Sequence, residues 1–204
     1  MRRPSIFAAL ARPPILVGSK VKLRPKHLQD AANDYSWRQD PELCRLDAAP
    51  TIECSFEQFL ENYVEDLHRL NQSYRFAIET FDSIHIGNCS YFNLDAGKKE
   101  AEMGIMIGNR AYWNRGYGTD AIITSLHYFF TQTSMRRIHL KTLSWNVRAH
   151  NCFRKCGFMP CGESVHGEYT FLLMDTFPAR MKNVKRNETG GQRKINTRKP
   201  DSGL

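Results

Sequence analysis

The sequence predicts one α/β domain: a mixed, mostly antiparallel central sheet of about seven strands, flanked by helices. Three observations lead there. The 204 residues suffice for one well-buried core and are short for two. Apolar residues at 41% and charged residues at 25% are ordinary for a globular chain. The hydrophobic period also changes along the chain, from helical spacing near residue 56 to alternation after residue 74.

The elements follow in order. Lys20–Arg24 alternates charged and apolar side chains as a half-buried strand does, and Pro25 ends it. His27–Arg38 reads as a helix, broken by Asp40-Pro41. Ser55-Phe-Glu-Gln58 is a capping box opening an amphipathic helix to about residue 70, with Phe56, Phe59, Leu60, Tyr63, Val64, Leu67 and Leu70 on its apolar face. Tyr74–Thr80, Ile84–Leu94 and Glu100–Ile107 are three strands joined by short turns, hence antiparallel neighbours. A helix from about Gly116 to Gln132 follows, then a strand at Arg137–Leu143. A short helix over Arg148–Lys155 ends before Gly157, a residue suited to the left-handed conformation that terminates helices. Strands near Phe158–Glu163 and Tyr169–Asp175 complete the sheet.

Charge divides the chain differently from pattern. Residues 1–26 hold seven Arg or Lys and no acid, and residues 180–204 hold eight bases against Glu188 and Asp201. The net +8 therefore leaves about −5 over residues 27–179. The expected organisation is a flexible basic leader (1–18), a folded domain (19–178) and a disordered basic tail (179–204). Basic ends attract nucleic acid in some proteins, but aromatic interleaving is missing here, so solvated tails are the simpler reading. The apolar stretch of the leader ends at Arg12, too short for a secretory signal, and prolines interrupt any long amphipathic helix. No run approaches the length of a membrane helix, so no membrane partner is expected. Cys44, Cys54, Cys89, Cys152, Cys156 and Cys161 form no CxxC pair and have no histidine at zinc-ligand spacing, so reduced thiols in a cytoplasmic protein and no metal are expected.

Chemistry concentrates in Ala101–Ile122: an apolar strand, a loop, then Arg115-Gly-Tyr-Gly-Thr119 feeding a helix. Glycines at 116 and 118 let backbone amides approach a ligand closely, and the helix N-terminus favours an anion such as a pyrophosphate. The spacing fits neither the dinucleotide-binding GxGxxG turn nor a P-loop. A tight strand–helix turn alone would also explain it.

The context resembles the GNAT acetyltransferase superfamily, and within it the ribosomal-protein N-terminal acetyltransferases of RimJ/RimL type. Three stretches between about residues 20 and 176 carry the resemblance. Trp113-Asn-Arg-Gly-Tyr-Gly118 follows the Gln/Arg-x-x-Gly-x-Gly/Ala loop of the superfamily, with Trp at the first position as in that branch. Asn146-Val-Arg-Ala-His-Asn-Cys-Phe-Arg-Lys-Cys-Gly-Phe158 matches its Asn-x-x-Ala/Ser…Lys-x-Gly-Phe helix. Trp37–Glu42 with Pro50-Thr51 looks like the N-terminal region of the branch.

The resemblance implies transfer of an acetyl group from acetyl-CoA to a primary amine, the N-terminus of a protein being the acceptor the branch suggests. A polyamine or aminoglycoside acceptor, or an acyl-CoA-binding module without turnover, are the alternatives. It implies that the backbone of Ile105, Met106 and Ile107 meets the pantetheine arm and that Asn146 bonds it from the next strand. Amides at Arg115, Gly116, Tyr117, Gly118 and Thr119 would hold the pyrophosphate. Glu102 sits where family members often carry a base, although an ordinary strand carboxylate would look the same. The tyrosine that often protonates the leaving thiolate is here Phe153, and Ser144 is the substitute by analogy. Arg154 and Lys155 read more simply as a solvated helix face. Tyr91 reads as core or as acceptor pocket. A monomer or homodimer is expected.

Overall fold

The computed structural model describes residues 13–68 and 73–181, and its core is one eight-stranded sheet in the order β1-β2-β3-β4-β5-β6-β8-β7. The strands are β1 (Leu16–Val17), β2 (Val21–Pro25), β3 (Tyr74–Thr80), β4 (His85–Asp95), β5 (Glu100–Ile107), β6 (Arg137–Leu143), β7 (Met159–His166) and β8 (Tyr169–Thr176). All neighbours are antiparallel except β5 and β6. The seven expected strands are present, and the eighth, β1, lies within the stretch expected to be a floppy leader. Residues 1–12, the tail from 182, and Leu70 lie outside the described residues.

The helices are α1 (Ala31–Gln39), α2 (Pro41–Leu46), α3 (Phe56–His68), α4 (Tyr117–Gln132), α5 (Val147–Lys155) and α6 (Pro178–Met181). Asp40-Pro41 does more than break α1. The Asp40 carboxylate accepts from the amides of Glu42 and Leu43, both at 3.0 Å, and proline occupies the first turn, so a new helix starts there. The capping box is present in both directions, with Gln58 N donating to Ser55 Oγ at 3.3 Å and Ser55 N to Gln58 Oε1 at 3.2 Å.

Alternation on the strands puts Val21, Leu23, Phe76, Ile78, Ala101 and Met103 into one core with Ala121, Ile122, Leu126 and Phe129 of α4. Tyr91 belongs to this core. Its ring stacks on Phe129 at 3.8 Å and its hydroxyl donates to Ser125 Oγ at 2.7 Å. On the opposite face α1 is held by charge. Arg24 forks onto both oxygens of Asp30 at 2.8 Å, and Asn88 Nδ2 donates to Asp34 at 2.7 Å. Burial works to raise the Asp30 pKa, but Arg24, the His27 amide, His85 and Lys26 outweigh it and hold the carboxyl down to about 2.

One carboxylate sets the edge of the sheet. Asp120, in the first turn of α4, accepts from the amides of Ser19, Lys20 and Val21 and from the Ser19 hydroxyl at 2.7 to 3.1 Å. The β1–β2 turn is thereby tied to the helix whose N-terminus borders the site.

Candidate active site

The parallel β5–β6 pair lasts only three residues, Glu100–Glu102 against Arg137–His139. Beyond Glu102, β5 stays paired with β4 as far as Ile107, while its other edge has no strand partner among the described residues. A cavity of about 570 Å³ opens where the strands part. Ile105, Met106, Ile107, Trp113, Gly116, Tyr117, Gly118, Thr119, Asn146 and Cys152 are on its wall, with Leu43 and Leu46 of α2.

The floor is the N-terminus of α4. Gly116 caps it with φ 84°, in the left-handed region that glycine enters without cost. The first helical bond runs from Asp120 N to Gly116 O at 3.0 Å, so the amides of Tyr117, Gly118 and Thr119 precede it and have no acceptor within the helix. A Cβ on Gly118 would stand 3.6 Å from Ile107 Cγ1 and 3.9 Å from Cys152 Sγ, both on the cavity wall, so it would take up space there.

Asn146 caps α5: its Oδ1 accepts from Ala149 N at 3.2 Å. Its Nδ2 makes no hydrogen bond among the described residues, which leaves a donor at the cavity wall. Cys152 Sγ lies 3.4 Å from Thr119 Oγ1. Cys156 one turn on, then the Thr119 hydroxyl and the charges of Lys155 and Arg148, outweigh burial and bring the Cys152 thiol down to about 7. Cys156, fully buried, moves upward, so Cys152 ionises first.

Glu102 is nearly buried, 9% exposed, at the last position of β5 that pairs with β6. Asn93 Nδ2 donates to its Oε2 at 2.9 Å, and Lys141 Nζ lies 3.9 Å from Oε1. Asn93 sits in a β4 bulge at φ 50°, a conformation asparagine tolerates better than most residues.

Not every expected residue joins the cavity. Arg115 turns back to donate to Ala111 O at 3.1 Å, and Ser144 is exposed, its amide donating to Thr170 O at 2.9 Å. Neither side chain is on the cavity wall, and neither is Glu102 or Arg154, whereas Lys155 is. The Ile107 carbonyl is already taken by the Trp113 indole N–H at 2.6 Å. Two residues on the wall, Trp113 and Arg148, were missed as a pair, and the only sequence signal was the odd tryptophan in the loop.

A strand edge without a partner, then a cluster of free helix amides, suits an extended amide-bearing chain that ends in phosphates. Among the described residues no group of three or more His, Cys, Asp or Glu could hold a metal, and no helix is long and apolar enough to cross a membrane.

Known proteins share this plan. The chain is 28% identical over 150 residues to the uncharacterized N-acetyltransferase p20 of Bacillus licheniformis, covering 72% of this chain and 83% of that one. It is 26% identical over 147 residues to spermidine N(1)-acetyltransferase of Escherichia coli K12, covering 72% and 76%. In structure it is similar to spermidine N-acetyltransferase from Vibrio cholerae in complex with CoA and spermine (TM-score 0.71, 22% identity, 81% of this chain and 99% of that one). It is also similar to an aminoglycoside acetyltransferase in complex with coenzyme A (TM-score 0.66, 16% identity, 79% and 97%). Residues 20–159 match the acetyltransferase (GNAT) domain model, and with the sheet parting above a glycine-capped helix the chain belongs to the GNAT acetyltransferase family.

Proposed function

We propose that this acetyltransferase moves an acetyl group from acetyl-CoA onto a primary amine of a small polycationic molecule, a polyamine or an aminoglycoside. The parting of β5 and β6 just past Glu102 carries the reading, because the free edge of β5, a berth for an acyl-CoA, begins one residue beyond that carboxylate. The acceptor class draws on the relatives, which are named for spermidine and aminoglycosides, and on the net −5 of residues 27–179. A protein N-terminus, suggested by the RimJ/RimL-like motifs, receives no support from those names.

Acetyl-CoA supplies an activated acyl thioester. The chain does the rest with backbone and few side chains. Backbone groups along Ile105 and Met106 take the place of a strand partner for the pantetheine amides, and Asn146 Nδ2 adds a donor from β6's end. Amides of Tyr117, Gly118 and Thr119 receive the pyrophosphate, aided by the helix dipole.

A lysine-like amine has a free pKa near 10.4 and must shed a proton before it attacks. Glu102 is the base in this reading, acting directly or through one water, with Asn93 fixing one oxygen and leaving the other towards Lys141. Phe153 has no proton to give, and Ser144 lies off the cavity wall. A thiol with a free pKa near 8.5 leaves without a dedicated acid.

A thiol-release assay tests both halves, with acetyl-CoA and a panel of spermidine, an aminoglycoside and peptides with free N-termini. Turnover is expected with the polycations. Glu102→Gln should cost roughly 10²–10⁴-fold in kcat and leave acetyl-CoA affinity unchanged. An unaltered rate would remove Glu102 from the mechanism, and turnover confined to the peptides would replace the acceptor.

A further inference from the structure

The loop position that carries Gln or Arg in the superfamily pattern is Trp113 here, so that position itself offers no cationic or amide side chain. The structure supplies a cation from elsewhere. Arg148, in the first turn of α5, lays its guanidinium on the Trp113 ring with Cζ 3.6 Å from the ring centroid. The ring cannot drift, because its indole N–H is fixed to the Ile107 carbonyl at 2.6 Å. Both residues are on the cavity wall with Asn114 and Gly116.

The electrostatic partners are divided unequally. Arg110 takes Asp40 at 2.6 Å and Glu42 at 2.9 Å, and Asp47 on the cavity wall pairs with Arg38 at 3.8 Å. Arg148 feels Glu42 only at a distance and makes no hydrogen bond or ion pair among the described residues. Stacking occupies the face of a guanidinium and leaves its N–H donors, arrayed around the edge, unfilled. A planar fork held rigid, unpaired and at a cavity wall matches a phosphoryl group, which accepts two parallel hydrogen bonds.

We propose that Arg148, seated on Trp113, is a specificity-determining residue that binds a phosphoryl group of the nucleotide half of acetyl-CoA. It stands in for the Gln or Arg that Trp113 replaces. The inference rests on acetyl-CoA as the co-substrate and is independent of the acceptor.

The test reads equilibrium binding to the full chain, without acceptor, by titration calorimetry. The probes are acetyl-CoA, its 3′-dephospho analogue and S-acetylpantetheine, which has no phosphate. Arg148→Gln is expected to weaken acetyl-CoA about 10-fold or more, the range of hydrogen bonds to charged groups, and to leave S-acetylpantetheine unchanged. An equal penalty with the dephospho analogue assigns the contact to the pyrophosphate; a penalty that vanishes assigns it to the 3′-phosphate. Trp113→Leu should weaken acetyl-CoA as well, and adding it to Arg148→Gln should cost less than the separate losses multiplied, because the two act as a unit. Wild-type affinity for acetyl-CoA in Arg148→Gln, or an equal loss for S-acetylpantetheine, would overturn the assignment while leaving the acetyltransferase reading intact. Failure of the wild-type chain to bind acetyl-CoA would overturn both.

Discussion

Asn146 is asked to do two things with one amide, and Asn146→Asp separates them. Its oxygen caps α5 through Ala149 N at 3.2 Å, and its nitrogen, without a partner among the described residues, is a donor at the cavity. Aspartate keeps an acceptor at a helix N-terminus, where a negative charge is welcome, and removes the donor. Asn146→Ala removes both. Loss of the cap costs about 1 kcal/mol, which for a chain of this size lowers Tm by roughly 2–4 °C. Loss of one neutral hydrogen bond to a ligand costs about 1 kcal/mol, about fivefold in Kd. Differential scanning fluorimetry and acetyl-CoA titration on the three proteins separate the terms. The alanine variant should be less stable and bind more weakly. The aspartate variant should melt near wild type and bind at least as weakly as alanine. Should the aspartate variant bind acetyl-CoA like wild type, the Asn146 nitrogen is not a ligand-binding donor. Should it melt like the alanine variant, the cap is not what stabilises α5.

Two further outcomes follow from ionisation. Asp30 has a folded pKa of about 2 against an ordinary 3.8, so its ion pair contributes stability present above pH 4 and lost as pH falls through about 2. On the order of 2 kcal/mol is involved; urea unfolding between pH 2 and 6 should show a steeper fall for wild type than for Asp30→Asn, and parallel curves would refute it. Cys152, with its thiol near 7, should be alkylated by iodoacetamide with a midpoint near pH 7, read by peptide mass mapping, and acetyl-CoA should slow it. A midpoint of 8.5 or above would refute the lowered thiol pKa, and no protection would count against its position beside the bound ligand.

What the sequence disclosed was local, and what it withheld depended on distant partners. The bounds of β3, β5 and β6 were readable because alternation and turn residues act within a few positions. The break after α1 was readable but the start of α2 was not, because Asp40-Pro41 serves equally as a stop and as a start, and only the two amides bonded to Asp40 decide. β1 is two residues long, and its turn is anchored by Asp120 about a hundred positions away, which no local pattern announces. In the site, the glycine-capped turn and Asn146 were visible as motif. Nothing in spacing could reveal that Arg115 folds back onto Ala111, or that Arg148 crosses 35 positions to lie on Trp113.

The open cleft is itself a hydrogen-bonding problem, because two strands that begin paired would ordinarily stay paired. Both strand ends are tied off locally. On β5 the Ile107 carbonyl accepts from the Trp113 indole at 2.6 Å. On β6 the Leu143 carbonyl accepts from Asn146 N and from the His150 ring, both at 2.9 Å. Each of these two acceptors is satisfied by a residue of the loop or helix that follows its own strand, so neither carbonyl gains by closing the gap, and the backbone of Ile105 and Met106 is left to a ligand. The two caps are also the two sides of the cavity, Trp113 carrying Arg148 and Asn146 presenting its free nitrogen. The residues that tie off the two strand ends are thus also on the cavity wall, and a substitution at either Trp113 or Asn146 is expected to act on a strand end and on ligand contact together.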